Sequence, residues 1–183
     1  LQFEKMLFAY GAPPALVNNP SWAAWDLYGQ IYDISKAAMP FKKLSTAAAS
    51  EATAGLPATN VVNNSQATLY SSLAFAASAP NRPIWLAGWW ADGKSTITKI
   101  ALKARLINGA VACFPKKYTL HVTSPDNASW ISLGEFTNQP DANGDAIINI
   151  GQRECHGVLI TPLELGADPY GNHYFQLCGL WAY

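Results

Sequence analysis

The chain has 183 residues, half of them hydrophobic and 13% charged, and its twelve basic and twelve acidic side chains cancel. That balance offers no basic surface to draw in nucleic acid or an anionic membrane, and no apolar run approaches the roughly 18–20 residues of a spanning helix. The length suffices for one domain with a sizeable core and an extension.

Seven Trp, eight Tyr and seven Phe are a heavy aromatic load. With abundant Ala, Asn, Ser and Thr, the composition is more typical of secreted or virion proteins than of cytosolic enzymes. The chain starts at Leu1 with no initiator Met and no basic-then-apolar leader pattern, as expected of a mature form or a fragment.

Residues 1–40 read as an N-terminal extension. Asn18-Asn19-Pro20-Ser21 is a turn with Ser21 placed to cap a helix, after which Trp22, Trp25, Tyr28 and Ile31 recur every three residues. Gly29 weakens that helix, and Pro13-Pro14 and Met39-Pro40 bracket it as breakers. A short, partly helical, aromatic-faced element has to pack on the domain or on another copy. Docking or homo-oligomerisation is therefore expected of it.

From residue 41 onward the pattern is that of strands separated by turns. Ala47 to Gly55 is small and polar, with no strand signal. Ile100, Leu102, Ala104 and Leu106 alternate with Lys99, Ala101, Lys103 and Arg105, the period of a half-buried strand. Tyr118, Leu120 and Val122 alternate in the same way with Thr119, His121 and Thr123. Further strands are expected over 84–90, 130–136, 146–150, 157–163 and 173–182. Turn-forming clusters rich in Gly, Pro, Asn and Asp separate them. Short strands with no long helix among them make an all-β sandwich spanning 41–183.

If successive strands run antiparallel, their connections alternate between the two ends of the sandwich. Segments 73–83, 106–114, 137–145 and 164–172 then share one end, and 91–96, 124–129 and 151–156 the other. The first set is longer and richer in Asn, Asp, Arg and Tyr, and long loops on a rigid scaffold are where binding concentrates.

Cys113, Cys155 and Cys178 are an odd set, so at least one is unpaired or pairs between chains. The lack of a C-x-x-C pair argues against a redox motif or zinc site, and Cys155 and Cys178, in strand-like apolar runs, are expected to be buried free thiols. The histidines are His121, His156 and His173, in no metalloprotease, hydrolase or nucleotide-binding motif, so no catalytic residues are assigned. Asn63-Asn64-Ser65 and Asn127-Ala128-Ser129 are glycosylation sequons, relevant only in a eukaryotic secretory setting.

A set of residues in fixed order carries a family resemblance. It runs Ala58-x-Asn60, Asn63-Asn64-Ser65, Thr68-x-Tyr70-Ser71-Ser72, Trp85, Arg105 and Phe114-Pro115-Lys116-Lys117-Tyr118, then the strand Thr119–Ser124, a turn, and Trp130. Over about Ala47 to Tyr183 this resembles the discoidin family, the coagulation-factor C-type domains and the related galactose-binding-like carbohydrate-binding modules. The resemblance implies a jelly-roll β-sandwich that binds glycans, lipids or proteins through its loops and performs no chemistry. It also implies that the ligand sits at the end holding the longer loops. A glycan site there needs an aromatic face and planar hydrogen-bonding groups. The ligand-binding residues expected are Asn81, Arg82, Asn108, Asp168, Tyr170, Asn172 and His173, with Asn138 and Asp141 in a neighbouring loop. Arg105 and Phe114-Pro115 are expected to be scaffold.

Many relatives carry a structural calcium beside an Ala-x-Asn-x-x-Asp-Gly-Asp segment, closed by a Glu in the final strand. Here Asn63, Asn64 and Ser65 stand at Asp, Gly and Asp, and Gly179 stands at the Glu. Without those carboxylates no cofactor and no tight calcium site is expected, with Asn60, Asn63 and Thr68 pinning the loop instead. Two functions compete. One is a lectin-like module reading a glycan or cell-surface receptor, alone or in a phage tail, adhesin or secreted assembly. The other is a structural virion or appendage subunit. Both place the chain extracellularly or on a virion surface, without membrane insertion or nucleic-acid binding.

Overall fold

Alternation of apolar and polar residues builds most of the strands seen in the computed structural model, which describes residues 42–183. The expected helix near Trp22–Ile31, and the docking role given to residues 1–40, lie outside the described residues. One sheet has five strands in the order β1 (Leu44–Ala49), β3 (Leu86–Trp90), β10 (Gly157–Glu164), β7 (Lys117–Thr123) and β8 (Trp130–Phe136), all antiparallel neighbours. The second has three, β12 (Gly179–Ala182), β4 (Ser95–Lys103) and β9 (Asp145–Cys155). Two short ladders complete the fold: β2 (Tyr70–Ser71) with β11 (Gln176–Leu177), and β5 (Arg105–Ile107) with β6 (Ala110–Ala112). A single 3₁₀ helix, η1 (Ala58–Asn63), precedes β2 among the described residues. This is the all-β jelly-roll sandwich that the sequence predicts.

The inward faces of the two sheets merge into one core. Leu86, Tyr118, Leu120, Val158 and Ile160 come from the first sheet and Ile97, Ile100, Leu102 and Ile148 from the second, each almost fully removed from water. Each such side chain contributes roughly 1.5–3 kcal/mol. Phe114 and Phe136 flank Tyr118, edge-on and stacked respectively, so the Phe114-Pro115 step anchors the start of β7.

Three local features depart from the simple strand pattern. β1 forms although Leu44-Ser45-Thr46-Ala47-Ala48-Ala49 carries little strand signal, because it pairs with β3 and buries Leu44 and Ala47 in the core. In β4, Ile97 and Ile100 both point inward although three residues apart. A register shift between Ile97 and Lys99 inserts the extra residue. β9 runs on to Cys155, so the expected connection 151–156 is mostly strand and turns at His156.

The expected final strand is split at Cys178. Leu177 pairs with Tyr70 in one ladder, and Gly179 pairs with Lys103 in the next. The Cys178 N–H donates to Lys103 O at 2.8 Å and its carbonyl accepts from the Ser65 N–H at 3.2 Å. The chain therefore changes partner without losing its hydrogen bonds. All three cysteines are buried free thiols, as the apolar runs around Cys155 and Cys178 predict for those two.

Candidate functional site

Backbone hydrogen bonds gather the four longer loops at one end of the sandwich. The Phe75 N–H donates to His173 O at 2.9 Å and Leu165 N–H to Ser78 O at 2.7 Å, which fastens loop 73–83 to loop 164–173. Cys113 N–H donates to Ala167 O at 3.2 Å and Gly166 N–H to Phe114 O at 3.0 Å, bringing in the 106–114 segment. Gly166 has to be glycine for this approach, since a Cβ there would lie 2.4 Å from Phe114 O. Ala104 N–H donates to Gly144 O at 2.7 Å, and the Tyr118 hydroxyl to Asn138 O at 3.1 Å, so loop 137–145 joins the same end. At the opposite end, His156 Nε2 lies 3.1 Å from Pro125 O and Lys94 pairs with Glu154. The strand-parity argument thus sorts the loops as observed.

Within this end the predicted residues do different things. Tyr170 is 87% exposed. Its loop is held by Asp168, whose Oδ1 accepts from the backbone N–H of Tyr170 (2.8 Å) and Asn172 (2.9 Å) and whose Oδ2 accepts from Asn172 Nδ2 (3.0 Å). These bonds, the Asn172 amide first, hold the Asp168 carboxyl below the usual carboxylate range. Asp141 caps loop 137–145 likewise, accepting from Asn143 N–H (2.8 Å) and Asp145 N–H (3.0 Å), and its carboxyl is lowered chiefly by the Asp145 amide.

Asn108 and Gly109 both have positive φ, 52° and 79°, at the tip of the β5–β6 hairpin, which leaves the Asn108 side chain in solvent. Asn81 is exposed on loop 73–83. His173 is half-buried; its backbone bridges Phe75 and Ala167, and its Nδ1 is buried without a hydrogen-bond partner among the described residues.

Arg82 is the most constrained. Its Nε donates to Glu51 Oε2 at 2.8 Å and its Nη2 to Glu51 Oε1 at 2.7 Å, while the guanidinium carbon lies 3.8 Å from the centre of the Phe75 ring. Nη2 also reaches Ala74 O at 3.2 Å, and Glu51 Oε1 accepts from the Leu73 N–H. The Arg82 hydrogen bond, with a smaller share from its charge, holds the Glu51 carboxyl below its ordinary range despite partial burial. Sequence reasoning missed Glu51. A signal was present: Glu51 is the sole acid between Asp33 and Asp92, and Arg82 the sole base between Lys43 and Lys94.

Arg105 lies behind this end and is scaffold. Its Nη1 donates to Oε1 of the buried Gln176 at 3.2 Å, and Gln176 Nε2 in turn donates to Ser71 Oγ at 3.0 Å.

The segment that would hold calcium in relatives is braced by hydrogen bonds, although Asn64 Oδ1 is buried there without a partner among the described residues. The Thr68 hydroxyl lies 3.1 Å from Asn60 O and 3.3 Å from Ser65 O, and Asn60 Nδ2 donates to Leu69 O at 2.8 Å. Asn64, at φ 48°, packs so tightly over Gly179 that a Cβ on Gly179 would lie 2.3 Å from Asn64 Oδ1. Carbonyls already engaged by a hydroxyl, with a side-chain amide over Gly179 where a carboxylate is needed, fit a hard dication poorly. Among the described residues no group of three or more His, Cys, Asp or Glu is placed to hold a metal.

Solved structures share this fold. A family 32 carbohydrate-binding module of Clostridium perfringens NanJ, solved with galactose, matches at 17% identity, over 75% of this chain and 91% of its own, with a TM-score of 0.58. A chitosan-binding module from a chitosanase/glucanase of Paenibacillus sp. IK-5, solved with chitotriose, matches at 16% identity over 77% and 97%, with a TM-score of 0.57. The family 32 module of AlyQ, solved with 4,5-unsaturated mannuronic acid, matches at 12% identity over 78% and 97%, also at 0.57. These likenesses establish the galactose-binding-like, discoidin-type sandwich that the ordered residues predict. No family model and no curated protein matches the sequence.

Proposed function

We propose that the chain is a non-catalytic module that binds a glycan at its loop end, acting outside the cell or at a virion surface. One observation carries the reading: Tyr170, 87% exposed, stands on a loop whose backbone its own neighbours fix. An exposed aromatic ring costs little entropy to immobilise there and offers a face for the C–H side of a pyranose. Asn81, Asn108, Asn172 and the Nη1 edge of Arg82 supply hydrogen-bonding groups at the same end, and Asp168 and His173 hold the loops. That three neighbours of this fold were solved with sugars supports a glycan as the ligand. On this reading the module needs no calcium, since the Thr68 and Asn60 hydrogen bonds close the segment a metal would otherwise tie.

The test is a glycan array on the full chain, followed by titration of the best hit against Tyr170→Ala. Binding should weaken at least about tenfold, while stability stays within about 0.5 kcal/mol, as befits an exposed site. Unchanged affinity, or no glycan bound at all, would overturn the reading.

A second reading, an assembly subunit of a virion, phage tail or adhesin, is supported by β8. This edge strand leaves Trp130 and Ile131 38% and 46% exposed, a place where another copy could pair. A monomeric mass in solution across concentrations would remove it.

A further inference from the structure

Building on the glycan reading, we infer that the loop end selects uncharged sugars against uronic acids, because its outward arginine is already neutralised by Glu51. A guanidinium recognises a carboxylate with a two-pronged fork, and on Arg82 the Nε–Nη2 fork is filled by Glu51 at 2.8 and 2.7 Å. Nη2 spends its second hydrogen on Ala74 O, leaving only the two N–H groups of Nη1. A sugar hydroxyl needs one such donor and no net charge. A uronate needs a free fork, and would have to displace Glu51 to obtain one.

Other cations near this end have partners too, two of them acids, while that of Arg105 is a neutral amide. Arg105 is turned to Gln176, Lys103 meets Asp145 at 2.7 Å, and Lys116 faces Glu164 at 3.6 Å. Beneath Tyr170 lies the Asp168 carboxylate, in the same loop and inside one screening length. An acidic sugar stacked on Tyr170 would meet that like charge, and the positive charge of Arg105 behind it is already directed at Asp168. Solved neighbours with a neutral sugar and with an unsaturated mannuronic acid show that the fold itself does not fix this choice. In this chain Glu51 does.

The experiment is calorimetric titration of the full chain with three pairs of probes: galactose and galacturonic acid, glucose and glucuronic acid, mannose and mannuronic acid. For whichever pair binds, the neutral sugar should be at least about tenfold tighter. Glu51→Gln, which frees the Arg82 fork, should close that gap to within about threefold. Equal affinity of the wild type for a sugar and its acid would overturn the inference while leaving the glycan reading intact. An unchanged preference in a folded Glu51→Gln protein would overturn the role of Glu51. If no probe and no array glycan binds, the glycan reading fails and takes this inference with it. Should Glu51→Gln prove unfolded by circular dichroism, the wild-type pairs decide alone.

Discussion

Cys113 sits at φ 56° with its side chain 1% exposed, a conformation that residues with a Cβ avoid at a cost of roughly 1–2 kcal/mol. Its neighbours over-determine it. The N–H is tied to Ala167 O and the carbonyl accepts from Gln176 N–H, so the kink joins the Tyr170 loop to the core ladder beneath. Burial pushes its thiol up to about 11 and raises those of Cys155 and Cys178 as well. The reactive thiolate is therefore scarce at neutral pH and shielded when it forms. A disulfide-exchange reagent at pH 8 should label the native protein slowly and release three equivalents once guanidinium unfolds it. One thiol reacting at the rate of a free cysteine in the folded protein would contradict this. The apolar runs around Cys155 and Cys178 sufficed to foresee that those two thiols are buried. The positive φ was not legible, because it arises from two long-range hydrogen bonds and not from the residues beside Cys113. Glu51 was hidden for the same reason: its partner lies 31 positions away, and only the fold brings them together.

Among the elements, β7 and β9 follow their alternation, whereas the run Ile100–Leu106 breaks at Ala104, where β4 ends and β5 turns to a separate ladder with β6. β7 and the core of β9 keep Tyr118, Leu120, Val122, Ala146, Ile148 and Ile150 on one face. β1 escaped because alanine and serine carry little preference, and its pairing with β3 decides the matter. The junction of η1, β2 and β12 was legible as a departure from a metal-binding pattern, but its substitute bonds were only partly so. Asn60 and Thr68 make the expected contacts, whereas Asn63 is exposed and Asn64 is the residue packed on Gly179. Thr68→Val keeps the shape and removes the hydroxyl from Asn60 O and Ser65 O, which should cost about 1–2 kcal/mol in urea unfolding. Gly179→Ala forces Asn64 away, its Cα included at 2.9 Å, and should cost about 1–3 kcal/mol. If both variants unfold like the wild type, this junction does not hold the chain.

At the scale of the molecule, the grouping of loops at two ends followed from strand parity, while the order of strands within each sheet rests on long-range pairing that parity does not supply. Nor could parity supply charge pairing across the loops, which governs whether Arg82 is a free recognition group or a spent one. The same limit applies to metal. In a sandwich closed by calcium, the ion ties the η1 segment to the last strand, so its removal loosens the seam between the two sheets. Here that seam is made by Ser65 N–H to Cys178 O and by Asn64 over Gly179, with Thr68 Oγ1 bracing the segment internally against Asn60 O and Ser65 O. None of these needs an ion. A ligand present at a hundred times its dissociation constant stabilises the native state by about 2.7 kcal/mol, and in a domain of this size that shifts Tm by roughly 5–10 °C. The expected result is no such shift: Tm should agree to within about a degree in millimolar calcium and in excess chelator. A rise of several degrees at micromolar calcium would mean that carbonyls now assigned to Thr68 rearrange around the metal, and Thr68→Val should then become more calcium-dependent than the wild type.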